Sequence, residues 1–330
     1  MTFTHSYLAV RRPAFRRSFE CDITVSNASS RKHNLIAWTT MLGIGTFWGA
    51  TIPLSKIAVS TGYQPFGLIF WQVLIGVLVL GAVLLWRGWR PRFSRELFFY
   101  FSAIAICGTI VPNGTSYWAQ QHLPAGVMAI MIATVPMFTL TIALFLRLES
   151  FSITRLLGIL IAFVAMVLIA APESSLPDPS KAIFILVALI ASFFYGVESN
   201  YLAFHKPEGV DPVSTLFMAS LLGLVAMVPV TYFTGQWIDP FVPWGEAELA
   251  LIGASVIHAI TYCIFIWLVG FGGPVFSVQT AYPVTLSGVF LSILFLGEGY
   301  SAWIWAALVL VIIGLILVQP KLENLERADE

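Results

Sequence analysis

The sequence predicts an all-α membrane protein whose ten transmembrane helices form two inverted repeats of five helices. Of its 330 residues, 58% are hydrophobic and only 10% are charged, whereas a soluble domain carries roughly 25% charged residues. The mean hydropathy of +0.87 also favours hydrocarbon over water. Basic and acidic residues balance at 17 each, which gives no net field for nucleic acid. Three scattered cysteines predict neither a disulfide framework nor a zinc site.

Ten apolar stretches have about the length of a spanning helix, roughly 20 residues. They are residues 35–59, 66–86, 97–118, 125–146, 153–170, 182–204, 213–233, 247–269, 275–295 and 302–318. Glycine and proline punctuate the breaks between them, and each break is too short to hold a soluble domain. Any activity is therefore predicted to take place in or across the bilayer.

The basic residues predict the orientation, because short cytoplasmic loops accumulate lysine and arginine. With the N-terminus inside, 15 of the 17 basic residues fall in cytoplasmic segments, and only Lys56 and Lys181 face the other side. We expect a multi-pass protein of the cytoplasmic (inner) membrane with both termini in the cytoplasm. Residues 1–33 are predicted to be a basic, disordered tail, with a transit-like presequence or an upstream start as alternatives. Residues 321–330 are predicted to form the C-terminal tail.

The two halves of the chain resemble each other at an offset of 147 residues. The repeat mates are Phe47 and Phe194, Gly49 and Gly196, Pro65 and Pro212, Phe70 and Phe217, Leu74 and Leu221, Gly76 and Gly223, Pro136 and Pro283 and, with small gaps, Gly108 and Gly253, Tyr117 and Tyr262, Glu149 and Glu298. Glycine and proline matches that stay in register through several helices rarely arise by chance. Five spans are an odd number, so the second half is inverted relative to the first. Transporters with this architecture bind substrate near the midplane, at the repeat interface.

Three segments carry a family resemblance. Residues 47–56 read Phe-Trp-Gly-Ala-Thr-Ile-Pro-Leu-Ser-Lys, and two Pro-to-Glu elements at 136–149 and 283–298 end in Arg-Leu-Glu and Leu-Gly-Glu. In these segments the chain resembles the EamA-type transporters of the drug/metabolite transporter superfamily, from about residue 35 to 320. The resemblance implies a 5+5 inverted repeat, here 34–172 and 181–320, and transport of amino acids or other metabolites, often outward. Gln72 stands where the family commonly has arginine, and the second Pro-to-Glu spacing is two residues longer, so the substrate class stays open.

Polar groups inside a membrane span are costly, so each is a candidate for function. Asn113, Tyr117 and Gln120 lie on one face of the third helix by their spacing. His258 and Tyr262 share a face of the eighth helix and are the repeat mates of Asn113 and Tyr117. We expect the two faces to converge on one cavity. The alternative is interhelical hydrogen bonding, which contributes about 0.6 kcal/mol per bond.

Aromatic residues and two neighbours on the ninth helix complete the predicted site. Trp48 and Tyr195 are repeat mates and are expected to wall the cavity. The predicted substrate-binding residues are Trp48, Asn113, Tyr117, Gln120, Tyr195, His258, Tyr262, Gln279 and Tyr282. Acidic and basic residues are missing from the central part of eight of the ten spans, and an unpaired charge in a low-dielectric site is very costly. The substrate is therefore predicted to be neutral or zwitterionic and amino-acid-like.

Three ionisable residues within spans are candidates for proton coupling: Lys56, Glu198 and His258. Each has a plainer alternative. Lys56 lies near a helix end and its side chain can extend to the interface, Glu198 can pair with a loop arginine, and a lone buried histidine is more often a hydrogen-bonding residue. Glu149 and Glu298 end their helices and are expected to be caps or loop anchors.

Together these patterns predict a secondary transporter that exports its substrate by alternating access. A passive channel or facilitator would need a continuous polar lining, and an intramembrane enzyme would need convergent catalytic groups. The sequence has no nucleotide-binding loop of the Gly-Lys-Ser/Thr type. We expect no catalytic residues, metal or cofactor, and partners limited to a small-molecule substrate and membrane lipid, without nucleic acid. The protein is expected to be a monomer or homodimer.

Overall fold

The computed structural model describes residues 23–91, 94–170, 176–241 and 243–318, with side chains from Asn34 onward. Two compact units divide the chain. The first, Met1–Ile36, is described as helix from Ile23. The second, Ala37–Glu330, holds a helical bundle, and no strand occurs in the part of it that is described.

The helices follow one another with short connections. They are α1 (Ile23–Gly49), α2 (Thr51–Ser60), α3 (Pro65–Trp86), α4 (Arg95–Ile104), α5 (Val111–Gln120), α6 (Ala125–Ile132), α7 (Val135–Phe145), α8 (Ile153–Ala170), α9 (Ile183–Phe204), α10 (Pro212–Phe233), α11 (Glu246–Gly272), α12 (Pro274–Ser277), α13 (Ala281–Leu296) and α14 (Ala302–Val318). A π-helical turn, Ala105–Ile110, joins α4 to α5. The 3-10 turns Pro179–Ala182 and Val278–Thr280 precede α9 and α13.

These helices make ten membrane spans, which confirms the predicted fold class. Among the described residues, nine segments are long and apolar enough to cross a membrane, and α14 is a shorter apolar helix that makes the tenth. The first span joins α1 to α2, the third joins α4 to α5, the fourth joins α6 to α7, and the ninth joins α12 to α13. Each of the other six spans contains one long helix.

The predicted tails fare differently. Residues 23–33 belong to α1, whereas the sequence predicted a disordered tail up to residue 33; the boundary of the tail stays a prediction. The expectations for residues 1–22 and 321–330 lie outside the described residues.

The start of the second span and that of its repeat mate, the seventh, show how local sequence sets a helix boundary. Pro65 and Pro212 each occupy the first position of their helix, where the missing N–H removes no hydrogen bond. Before Pro212, the Asp211 carboxylate accepts hydrogen bonds from the amides of Val213 (3.0 Å) and Ser214 (3.3 Å). This N-cap satisfies two amides that the helix itself leaves unpaired.

The fourth and ninth spans are interrupted, whereas the sequence predicted two continuous helices. The interruptions lie at Thr134 and at Val278–Thr280, just before the repeat mates Pro136 and Pro283. A proline inside a helix removes one hydrogen bond and crowds the preceding turn. The hydroxyls of Thr134 and Thr280 each donate to the carbonyl three residues earlier, at 2.6 Å. Each break is therefore satisfied locally, which makes it tolerable inside a membrane.

The packing of the spans follows the repeat. The second span packs on the seventh, the fourth on the ninth and the fifth on the tenth, so repeat mates contact each other. The first span packs on the eighth and the third on the sixth. The repeat mates of the first and eighth spans are the sixth and third, so one pair is the symmetry equivalent of the other. Close approach is possible where small residues meet. A Cβ at Gly158 would lie 2.7 Å from the carbonyl of Gly314, and a Cβ at Gly314 2.8 Å from that of Gly158.

Candidate functional site

A cavity of about 120 Å³ lies between spans of both halves. Its polar lining consists of Thr51, Ser55, Gln72, Asn113, Ser116, Tyr117, Gln120, Tyr195, Glu198, Ser199, His258, Tyr262 and Thr280. Its apolar lining includes Trp48, Phe265 and small or aliphatic residues of the fourth, eighth and ninth spans. Polar groups of several helices thus meet in one space inside a mostly apolar bundle.

The structure brings together most of the predicted site. Seven predicted binding residues line the cavity: Trp48, Asn113, Tyr117, Gln120, Tyr195, His258 and Tyr262. Glu198, predicted as a coupling residue, lines it as well. The polar faces of the third and eighth spans therefore converge as expected, while the binding role of these residues stays a prediction.

Two predicted binding residues, Gln279 and Tyr282, lie outside the lining. Gln279 is buried, and its Nε2 donates to the carbonyl of Val275 at 3.3 Å. Tyr282 packs against the hydrophobic core beside the cavity. Gln279 lies in the 3-10 turn Val278–Thr280, whose tighter winding changes which side chains share a face. Both residues were included only as neighbours on the ninth helix, without support from their spacing.

Lys56 does not line the cavity either. Its ammonium donates to the carbonyls of Gln120 (2.6 Å) and Leu123 (3.0 Å), near the end of the third span. It borders a separate cleft with His122 and Asp178. The Lys56 side chain is thus held by carbonyls near a helix end, away from the cavity. Its coupling role and the alternative of extension to the interface stay predictions.

The hydrogen bonds in the cavity leave specific polar atoms unpaired. The Tyr195 hydroxyl donates to Asn113 Oδ1 at 3.0 Å, and the Tyr117 hydroxyl donates to Gln72 Oε1 at 2.6 Å. Within the described structure, Asn113 Nδ2, Gln120 Oε1 and His258 Nε2 are buried without a hydrogen-bond partner. An unpaired buried polar group costs about 1–3 kcal/mol. A ligand that pairs with these atoms recovers that cost.

Glu198 is the carboxylate of the cavity. It is 1% exposed, and it accepts a hydrogen bond from the Tyr262 hydroxyl. Among the described side chains, no arginine pairs with Glu198. The π-helical turn makes room for this pair through Gly108, where an added Cβ would overlap the Tyr262 hydroxyl and lie 2.7 Å from the carboxyl carbon of Glu198. Glycine at this position is thus required by the Glu198–Tyr262 contact.

An aromatic group from both halves forms one wall. The Trp48 ring of the first span lies 5.6 Å from His258, 5.9 Å from Tyr262 and 5.7 Å from Phe265, measured between ring centroids. The contacts with His258 and Phe265 are edge-on, an arrangement that aromatic rings favour. Trp48 therefore joins the first span to the eighth at the cavity.

Sequence reasoning missed Gln72, Thr51 and Ser55 as lining residues. Gln72 was noted only as a departure from the family pattern, although a lone amide in an apolar helix is itself a signal. Thr51 and Ser55 follow Trp48 at spacings of three and seven residues, which places all three on one helical face. The helical spacing in the first span therefore contained the signal for Thr51 and Ser55.

The two helix-ending glutamates are anchors of different kinds. Glu298 accepts hydrogen bonds from the amides of Ala125 (2.8 Å) and Gly126 (3.1 Å) at the start of α6. Glu149 forms an ion pair with Arg155 at 2.9 Å. Neither residue lines the cavity, which agrees with the expectation that they are caps or loop anchors.

Comparisons with known proteins point to one family. A sequence model of the EamA-like transporter family matches residues 35–171 and again residues 182–319. The uncharacterized transporter YvbV of Bacillus subtilis (strain 168) is 25% identical over 283 residues, which cover 83% of this chain and 88% of that protein. The uncharacterized inner membrane transporter YedA of Escherichia coli (strain K12) is 26% identical over 276 residues, covering 82% and 86%.

A protein of known crystal structure shares the fold. It superposes with a TM-score of 0.60 at 17% identity, over 88% of this chain and 97% of that chain. At this level of identity the likeness concerns the arrangement of the helices alone.

Proposed function

The chain belongs to the EamA-like transporter family, and from this premise we propose that it is a secondary transporter for a small neutral or zwitterionic, amino-acid-like metabolite. It exports this substrate across the cytoplasmic membrane by alternating access, with both termini in the cytoplasm. The relatives are named as transporters, in keeping with transport rather than catalysis. The observation that carries the proposal is the cavity between the halves, where described buried polar atoms lack hydrogen-bond partners.

The unpaired atoms suggest how a substrate is recognised. Asn113 Nδ2 is a donor and pairs with a carbonyl or carboxylate oxygen, while Gln120 Oε1 is an acceptor and pairs with an amine or hydroxyl. The described lining contains no lysine or arginine, so a strongly anionic substrate would lack a countercharge. A small molecule that carries a donor and an acceptor, with little net negative charge, matches this lining.

Glu198 is the proposed proton-binding group. Its partner, the Tyr262 hydroxyl, can donate to a carboxylate and can accept from a carboxylic acid. The hydrogen bond therefore survives both protonation states of Glu198. A carboxyl group in a membrane cavity, bonded in this way, suits a cycle in which a proton enters from one side and leaves on the other. His258, which contacts the Trp48 ring edge-on, is the second candidate for proton binding.

Transport by the purified protein in proteoliposomes tests the proposal. A panel of radiolabelled neutral and zwitterionic amino acids and related metabolites identifies the substrate through saturable uptake. The expected result is counterflow, in which unlabelled substrate on the far side accelerates uptake of the labelled molecule. A carrier shows this acceleration because its loaded site returns faster than its empty one. Uptake that rises linearly with concentration, without acceleration from the far side, would mean a passive channel or facilitator.

A further inference from the structure

The fourth and ninth spans lie antiparallel, so each span starts beside the end of the other. At one junction, here called the Glu298 junction, the carboxylate of Glu298 caps the start of the fourth span at Ala125 and Gly126 (2.8 and 3.1 Å). At the same junction the Lys56 ammonium donates to two carbonyls near the end of the third span (2.6 and 3.0 Å). A negative group at a helix start and a positive group at a helix end both complement the helix dipole.

The opposite junction, here called the Glu149 junction, also has a glutamate and a lysine, but these two residues make different contacts. Glu149, the repeat mate of Glu298, pairs with Arg155 (2.9 Å). No hydrogen bond joins it to the start of the ninth span at Pro274 within the described structure. Lys206 follows the sixth span much as Lys56 ends the first, but it is exposed. A Cβ at Gly270, near the end of the eighth span, would lie 3.7 Å from its ammonium.

The local geometry at Glu149 is nevertheless prepared for a cap. Gly297, just before Glu298, has a left-handed backbone (φ 65°) that turns the chain back towards its partner helix. Arg147, two residues before Glu149, adopts the same conformation (φ 59°), which L-residues with side chains rarely do. The fourth span thus ends in the same kind of turn as the ninth. An unfavoured conformation kept at this position indicates that the direction of the chain towards Glu149 matters.

We propose that the two junctions are alternating latches, of which the Glu298 junction is closed and the Glu149 junction is open in this conformation. When the halves rock, Glu298 releases the start of the fourth span, and Glu149 leaves Arg155 to cap the start of the ninth. There, Pro274 has no N–H, and the first backbone bond of the helix is made by Ser277 to Gly273. The amides of Val275 and Phe276 therefore precede that bond, as the amides of Ala125 and Gly126 precede the first bond of the fourth span, from Met128 to Pro124.

This inference rests on the alternating access of the proposed function, and it assigns residues outside the cavity to it. The test places a cysteine at the cavity residue Ser116 in a chain whose three native cysteines are replaced by serine. A membrane-impermeant maleimide then labels this cysteine in right-side-out and inside-out vesicles. The measured quantity is the labelling rate from the Glu298 end divided by the rate from the Glu149 end.

Glu298→Gln is expected to raise this ratio about tenfold, because the neutral amide is a weaker cap and the Glu298 junction opens more often. Arg155→Gln, at the far end of the molecule, is expected to raise it in the same direction by freeing Glu149. Adding Glu149→Gln to Arg155→Gln is expected to lower the ratio again, because the new cap is then weakened. Glu208→Gln, in an exposed loop, is the matched control and leaves the ratio unchanged.

Size-exclusion chromatography checks that each variant is folded, and Arg155→Gln with its double variant keeps the test informative if Glu298→Gln does not fold. The latch is overturned if wild-type protein labels from both sides and shows counterflow while Glu298→Gln and Arg155→Gln leave the ratio unchanged or lower it. Labelling from one side only in every variant, together with a lack of counterflow, would instead overturn the alternating access on which the latch depends.

Discussion

The two halves of the molecule contribute equivalent helices but different chemistry to the cavity. The first half supplies the amides of Gln72, Asn113 and Gln120, whereas the second supplies the titratable side chains of Glu198 and His258. The repeat thus conserves positions more strictly than side chains. Under the proposed function, we expect the first half to recognise the substrate by hydrogen bonds and the second half to bind the proton.

The positional correspondence is close. Thr51 and Glu198 are 147 residues apart, the repeat offset, and Asn113 is the mate of His258; all four line the cavity. In both pairs a neutral residue of the first half corresponds to an ionisable residue of the second. Duplication of a five-helix unit accounts for the agreement in position, and the side chains at these positions differ between the two copies.

The inverted relation of the halves is the premise of this comparison, and it has an all-or-none test. Thr61 and Glu208 are also separated by the offset of 147 and are both exposed in loops. Cysteines placed there, in a chain without native cysteines, should label from opposite sides of the membrane, with Thr61→Cys reached from outside intact cells and Glu208→Cys protected. Labelling of both positions from the same side would show that the two halves are not inverted relative to each other.

Glu198→Gln is expected to abolish substrate accumulation driven by a pH gradient while leaving counterflow intact. The amide keeps the size of the side chain and its hydrogen bond to Tyr262 but can no longer bind and release a proton. Thr51→Val, at the mate position in the first half, is the control and should retain gradient-driven accumulation. If both variants behave alike, the assignment of charge changes to the second half is wrong.

Two glycines that are repeat mates should respond very differently to alanine. At Gly108 the added methyl overlaps the Tyr262 hydroxyl and crowds Glu198, whereas at Gly253 it meets Leu54 Cδ1 at an ordinary 3.6 Å. Overpacking of this kind costs about 1–3 kcal/mol. Where this cost raises the barrier of the transport step, Gly108→Ala should lower the transport rate by roughly fivefold or more. Gly253→Ala should transport like the wild type. Equal rates in the two variants, measured by counterflow at matched protein yield, would contradict the role given to the π-helical turn.

The smallest expected effect concerns recognition by the first half. Asn113→Ala removes the unpaired Nδ2 together with the Oδ1 that accepts from Tyr195. The loss of Nδ2 should weaken substrate affinity roughly five- to tenfold, as expected for one lost hydrogen bond. Asn200→Ala is the matched control, since Asn200 is equally buried but donates to the carbonyls of Thr139 and Gly196 away from the cavity. That variant should lower folded yield and leave affinity unchanged. The half-saturation concentration and the yield of folded protein together separate the two roles.

The fold could be predicted because its signals are local. Apolar length and the distribution of lysine and arginine indicate spans one at a time, and observed helices agree with predicted ones to within a few residues at most ends. The exception is α1, whose start at Ile23 lies well before the predicted boundary. Pro136 and Pro283 indicated bends within their spans, but the breaks at Thr134 and Val278–Thr280 could not be located, because a proline signals a possible kink without fixing where hydrogen bonding changes.

The site was predicted where helical spacing and the repeat agreed, as for Asn113 and Tyr262. Gln279 was included only as a neighbour on the ninth helix, and a 3-10 turn changes the angular spacing there. The partners of Lys56, two carbonyls near residues 120–123, come from a different helix and could not be predicted. Contacts between distant segments depend on how helices pack, and helix periodicity within one segment contains no information on that packing.

The π-helical turn Ala105–Ile110 also bears on the energetics of a transport cycle. In a carrier made of two identical halves, the inward- and outward-facing states would have equal free energies and would be equally populated without a gradient. The described eighth span, the mate of the third, is a regular α-helix from Glu246 to Gly272. If the protein works by the proposed alternating access, a widened turn in one span and a regular helix in its mate remove this degeneracy. The empty protein would then have a preferred resting orientation, set by its own sequence before any substrate or gradient acts on it.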